Sequence, residues 1–195
     1  MSCSGIAVAT TIVVDESNSA AGQVLLLGGY DEEGVGLSTG APSRSCPRRD
    51  LCTLQAALLS SRAGFAAVRI PDGRVACVGG LGSLSAAEVW GLPASLAPNA
   101  AWTWTQLPAL SVGRYGSFGC VMIDGHFAVL GGRSNGGDTP SCEALMVDSI
   151  HRDDHWHSLP SMHHARRNFA CAAVARCILV AGGGHGPPSA DRSVR

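Results

Sequence analysis

Short apolar runs punctuate this chain, and each ends in a pair of glycines. Val24-Leu25-Leu26-Leu27 precedes Gly28-Gly29, Val75-Ala76-Cys77-Val78 precedes Gly79-Gly80, Phe127-Ala128-Val129-Leu130 precedes Gly131-Gly132, and Ile178-Leu179-Val180-Ala181 precedes Gly182-Gly183. The pairs lie 51, 52 and 51 residues apart. Apolar runs of this length, bounded by turn residues, predict strands. A fixed period near fifty predicts one supersecondary unit copied in tandem.

Other positions keep the same phase. Trp104 and Trp156, Leu107-Pro108 and Leu159-Pro160, and Leu110 and Met162 are each 52 apart, and Arg62, Arg114 and Arg166 step by 52 and 52. In the third unit the pattern predicts four strands, over 116–123, 126–130, 142–147 and 155–159. Asp124-Gly125 is expected to turn the first hairpin in two residues, and 133–141 to be a polar loop. Pro160 has no N–H to donate and ends the fourth strand. The second unit repeats the order, with strands expected over 65–70, 74–78, 86–90 and 102–107.

Four antiparallel strands per ~50 residues, with paired glycines and a late tryptophan, form the blade signature of an all-β propeller. First strands rich in small residues, such as Ala66-Ala67, Gly119-Cys120 and Ala170-Cys171-Ala172-Ala173, suit convergence on a common axis.

The order Val129-Leu130-Gly131-Gly132, then Glu143 with Asp148, then Trp156-His157-Ser158-Leu159-Pro160-Ser161-Met162, then Arg166, resembles the Kelch repeat. Ala86-Ala87-Glu88-Val89-Trp90 matches as well, with Trp90 where that family usually has tyrosine. The resemblance covers nearly the whole chain. It implies an incomplete Kelch-type β-propeller of about three and a half blades: 5–58 (degenerate), 62–108, 114–160, and a half blade over 166–195. The first unit has Cys52 where its tryptophan is due and Gln55-Ala56 where its Leu-Pro is due. Kelch propellers resemble six- or seven-bladed rings, so this chain is expected to be a fragment, a truncated gene product or one piece of a larger assembly.

The resemblance also implies a use: binding partner proteins through propeller loops, as in substrate recognition for ubiquitin ligases. Such domains often sit beside an F-box or BTB module. None is visible here, because the repeats start close to Met1, so ligase membership rests on analogy. Arg62, Arg114 and Arg166 open the inner strands, and in a propeller those entrances gather at one mouth. Kelch-like proteins use arginines there to hold acidic peptides, whose carboxylates match the guanidinium fork. The alternative is structural, with each arginine bonding carbonyls between blades. Tyr30 and Arg133, just after glycine pairs, are the other candidate contacts.

Composition narrows the function classes. Apolar residues make up 46% and charged residues 15%, a globular balance. A net charge of −1 lacks the footprint of nucleic-acid binding. No apolar stretch reaches ~18 residues, so no membrane contact is expected. Of eight cysteines, Cys77, Cys120, Cys171 and Cys177 fall in apolar runs and read as buried free thiols. None has zinc-site spacing, and a reducing cytoplasmic or nuclear setting follows.

His151, Asp153, Asp154, His155 and His157 crowd one turn and strand, and His155 and His157 share a strand face suited to a metal. A simple polar turn is the expected explanation, and neither metal nor cofactor is expected. Copper oxidases resembling galactose oxidase share Kelch-like propellers but need tyrosine ligands, and this chain has only Tyr30 and Tyr115. No phosphate loop occurs. The expectation is a binding protein rather than an enzyme. The competing classes are a propeller enzyme or metal-binding protein and a non-functional truncated fragment.

Overall fold

A computed structural model describes residues 9–13, 23–29, 38, 57–92, 101–122, 124–146 and 155–184. The described residues are all-β, with no helix among them. β1 (Ala9–Val13) pairs antiparallel with β2 (Gln23–Leu27). β3 (Ala66–Arg69), β4 (Val75–Val78), β5 (Ala87–Gly91) and β6 (Thr103–Leu107) form a four-stranded antiparallel sheet in chain order. β7 (Phe118–Val121), β8 (His126–Leu130), β11 (Cys142–Met146) and β12 (His157–Leu159) form a second. A small hairpin, β9 (Arg133–Ser134) with β10 (Gly137–Asp138), leaves it after β8. β13 (Ala170–Val174) pairs with β14 (Cys177–Ala181) alone among the described residues.

Successive sheets stack face to face, which explains why the second strands carry unbroken apolar runs, Val75–Val78 on β4 and 127–130 on β8. Side chains alternate between the two faces of a strand. On β4, Val75 and Cys77 pack with Leu27, Leu58, Phe65 and the Trp90–Trp104 pair. Ala76 and Val78 face the other way, onto Phe127, Val129, Leu145 and Trp156 of the next sheet. On β8, Ala128 and Leu130 then join Cys142, Ala144 and Phe169 against β13 and β14. The first strands β1, β3, β7 and β13 touch in that sequence. Small residues on β3, β7 and β13, such as Ala66-Ala67, Gly119-Cys120 and Ala170-Cys171-Ala172-Ala173, suit the close approach of those three.

The structure departs from the sequence expectations in four places. The hairpin at Asp124-Gly125 closes over three positions rather than two: Met122 N–H bonds His126 O, with Gly125 at φ 87°, just as Ile70 N–H bonds Arg74 O across the expected Pro71-Asp72-Gly73 turn, with Gly73 at φ 93°. A type I turn ending in a left-handed glycine fits that loop length. The loop after Gly132 is a hairpin, because Ser134 Oγ accepts the Gly136 N–H and donates to Gly137 O. Cys177 is exposed rather than buried, since among the described residues nothing covers that face of β14. Several strands start one or two residues late, β3, β4, β5 and β6 by one and β7 and β12 by two, while β8 keeps its expected bounds and β5 runs one residue further, to Gly91.

Candidate functional site

The first three glycine pairs are junctions between neighbouring units. All eight glycines of the four pairs have positive φ, from 55° to 112°. The N–H of the second glycine donates to the carbonyl of the next unit's arginine: Gly29 to Arg62 (3.0 Å), Gly80 to Arg114 (2.8 Å), Gly132 to Arg166 (2.8 Å). A Cβ on Gly28, Gly79 or Gly131 would overlap that same arginine carbonyl. Both demands, a left-handed backbone and a close approach, leave glycine as the residue that fits.

The arginine side chain then turns back into its own unit. Arg62 Nη1 donates to Gly79 O (3.0 Å) and Ala86 O (2.9 Å), while Nη2 meets Glu88 at 2.5 Å. Arg114 Nη1 donates to Gly131 O (3.0 Å) and Ser141 O (2.7 Å), while Nη2 meets Glu143 at 2.5 Å. The glutamates accept backbone N–H groups from the segment before each arginine, Leu59 for Glu88 and Ser111 and Val112 for Glu143. Arg62 and Arg114 are fully buried. Burial weakens the Arg114 cation and pulls its pKa down, against the opposing pull of Glu143. These two guanidinium groups therefore point away from any partner and act as clamps, bonding carbonyls of their own unit through the side chain and the preceding unit through the backbone.

One residue later the chain pairs with the segment after each glycine pair, with Ala63 buried and Tyr115 and Arg167 partly exposed. Ala63, Tyr115 and Arg167 bridge antiparallel to the residues after the glycine pairs, Leu81, Arg133 and Gly184. Next come Gly64, Gly116 and Asn168, again 52 apart, with φ of 62°, 62° and 52°. Their backbones run from unit to unit, Gly116 N–H to Gly64 O (2.6 Å) and Asn168 N–H to Gly116 O (2.8 Å). Asparagine tolerates this left-handed conformation better than other non-glycine residues.

On this rim two arginines share one carboxylate. Arg133 Nη1 lies 3.7 Å and Arg167 Nη1 3.6 Å from Asp138 Oδ1. The Asp138 side chain is 8% exposed, whereas those of Arg133 and Arg167 are 41% and 31% exposed. Arg133 is thus held between Tyr115 on one side and Asp138, its register partner in β10, on the other. Two cations facing one buried anion leave a local positive surplus at the surface.

The chain matches no family model and no curated protein.

Of the residues singled out from sequence, Arg133 lies on this rim. Arg166 is half-buried with Nη1 on Gly182 O (2.9 Å), Arg62 and Arg114 are internal, and Tyr30 falls outside the described residues. Sequence reasoning missed Arg167, Asp138 and Tyr115. The 52-residue spacing of positions 63, 115 and 167 was the available signal. It also missed Gly36-Leu37-Ser38-Thr39-Gly40, which has the spacing of a nucleophile elbow and so bears on the expectation of no enzyme. That device needs a strand-to-helix turn. Of its residues only Ser38 is described, and its carbonyl accepts the Leu58 N–H at 2.6 Å.

His126, His155 and His157 stack edge to face, with centroids 5.4 Å and 5.9 Å apart, and no metal-binding trio exists among the described residues. His151, Asp153 and Asp154 fall outside them. At the far end of β7 a cleft of about 310 Å³ is lined by Met122, Asp124, Ala173, Arg176, Cys177 and Ile178. No nucleophile–base pair converges there, because Asp124 is turned onto the backbone N–H and ring of His126.

Proposed function

We propose that this chain is part of a Kelch-type β-propeller that binds acidic segments of partner proteins through the rim formed by Tyr115, Arg133 and Arg167. The two arginines over the single Asp138 carboxylate carry this reading. Planar, always-charged guanidinium groups suit bidentate capture of a carboxylate. Their partial exposure leaves that capacity open to solvent. Stacked four-stranded sheets of 52-residue period, with first strands side by side, support the propeller. Substrate recognition for a ubiquitin ligase is one use of such a surface. All fourteen basic residues are arginine, so the chain itself offers no lysine side chain for ubiquitin attachment.

Screening an immobilised peptide library with the full chain tests the proposal. Acidic sequences are expected among the binders, and Arg133→Glu and Arg167→Glu are expected to weaken them by ten-fold or more, on the order of 1.4 kcal/mol or above. Binders indifferent to both substitutions would contradict it.

A further inference from the structure

Among the described residues, the third arginine of the series is without the carboxylate that its two copies hold. Arg166 Nη1 bonds Gly182 O as Arg62 and Arg114 bond Gly79 O and Gly131 O. Among the described residues it has no ion pair, whereas Nη2 of Arg62 and of Arg114 each meets a glutamate. In the copies the carboxylate arrives on a third strand, β5 or β11, paired to the outer edge of the second. Glu88 lies opposite Cys77 and Glu143 opposite Val129, each two positions before the glycine pair. On β14 that position is Val180, and among the described residues its outer edge is unpaired. His163 and His164 stand one period after Ser111 and Val112, whose N–H groups bind Glu143. An arginine fork, two backbone donors and a strand edge are thus present at the position where a glutamate sits twice elsewhere in this molecule.

We propose that the β14 edge takes up an extended segment of a partner protein, as a third strand that places a glutamate opposite Val180 against Arg166. Strand addition supplies main-chain hydrogen bonds, and the side-chain pocket supplies selectivity. The segment carries small or apolar residues beside the glutamate, because Ala87 and Val89, and Cys142 and Ala144, flank it in the copies and are buried. The chain's own Asp191 lies nine residues after Gly182, the interval from Gly79 to Glu88. It is a poor match: its side chain is one methylene shorter, and Arg192 follows where the copies have buried Val89 and Ala144. This edge is separate from the rim, and the proposal does not depend on rim binding.

The test uses the full chain and a dye-labelled peptide copying 85–92, with a second peptide carrying Gln in place of Glu88. Anisotropy is expected to show the glutamate peptide binding on the order of ten-fold more tightly. The difference should vanish in Arg166→Gln and partly return in Arg166→Lys. Equal binding of both peptides to the unaltered protein overturns the proposal, whatever the variants do, and so does absence of binding. Binding that appears only in Asp191→Asn assigns the edge to the chain's own tail and overturns the partner assignment.

Discussion

Arg114 and Glu143 meet at 2.5 Å inside the protein, with side chains 0% and 3% exposed, and Arg62 and Glu88 repeat the arrangement one unit earlier. Each arginine satisfies carbonyls within its own unit, and each glutamate satisfies N–H groups in the segment before that arginine. Removing one partner leaves a buried charge unmatched. Arg114→Ala or Glu143→Ala is therefore expected to destabilise by about 3–5 kcal/mol, read by urea unfolding. Loss of less than about 1 kcal/mol would mean the pair is not buried in solution.

The glycine junctions give a graded prediction. Gly131 combines φ 55° with a site where a Cβ would meet Arg166 O and the side chains of Met162 and Phe169. Gly182 has φ 73° but nothing within 4 Å of a Cβ. Gly182→Ala should cost only the left-handed penalty, about 1–2 kcal/mol. Gly131→Ala should cost clearly more, because backbone must also move. Equal midpoints for the two variants in thermal melts would contradict the junction geometry.

Trp156 ties adjacent sheets. Its Nε1 donates to Pro108 O at 2.8 Å, and its ring meets Phe127 edge to face at 5.6 Å. Trp156→Ala should cost about 3–5 kcal/mol. Trp156→Phe keeps most of the ring contact and loses the hydrogen bond, so a smaller loss is expected in the same unfolding assay.

Much of this was legible from the repeat phase. The course of β8 follows directly from the run between Gly125 and Gly131: its last four residues are apolar and buried on both faces, and only His126 at its start is polar and half-buried. For Arg62 and Arg114 the sequence left two readings open, a partner contact and a structural bond to carbonyls. The choice between them was not legible, because it turns on Glu88 or Glu143, which reaches the arginine from 26 or 29 residues further on. The same holds for Asp138, whose meaning depends on Arg167 of the next unit. The β9–β10 hairpin escaped because a single serine hydroxyl shapes its turn.

Thiol chemistry separates covered faces from uncovered ones. Burial pushes the Cys77 thiol far up, and Cys120 and Cys142 are also buried, whereas Cys177 is exposed. Peptide mapping after brief maleimide treatment should find Cys177 modified well before Cys77, Cys120 or Cys142. Early modification of Cys77 would show that the first two sheets do not pack as described.

A pH effect is expected at one turn. The backbone N–H of His126, followed by its side chain, holds the Asp124 carboxyl below its ordinary value. A carboxylate depressed in the folded state contributes stability above its unfolded pKa and loses it as pH falls through the folded value. An NMR titration should place the Asp124 midpoint below 3.8, and Asp124→Asn should flatten the acid side of the stability profile slightly.

Amide hydrogen exchange at Gly80 and Gly132 tests most directly whether each unit is locked to the next through the arginine carbonyl. The account predicts strong protection at both, because each N–H is held by the backbone carbonyl of the next unit's arginine. Exchange at the rate of an open loop in the unaltered protein would contradict it.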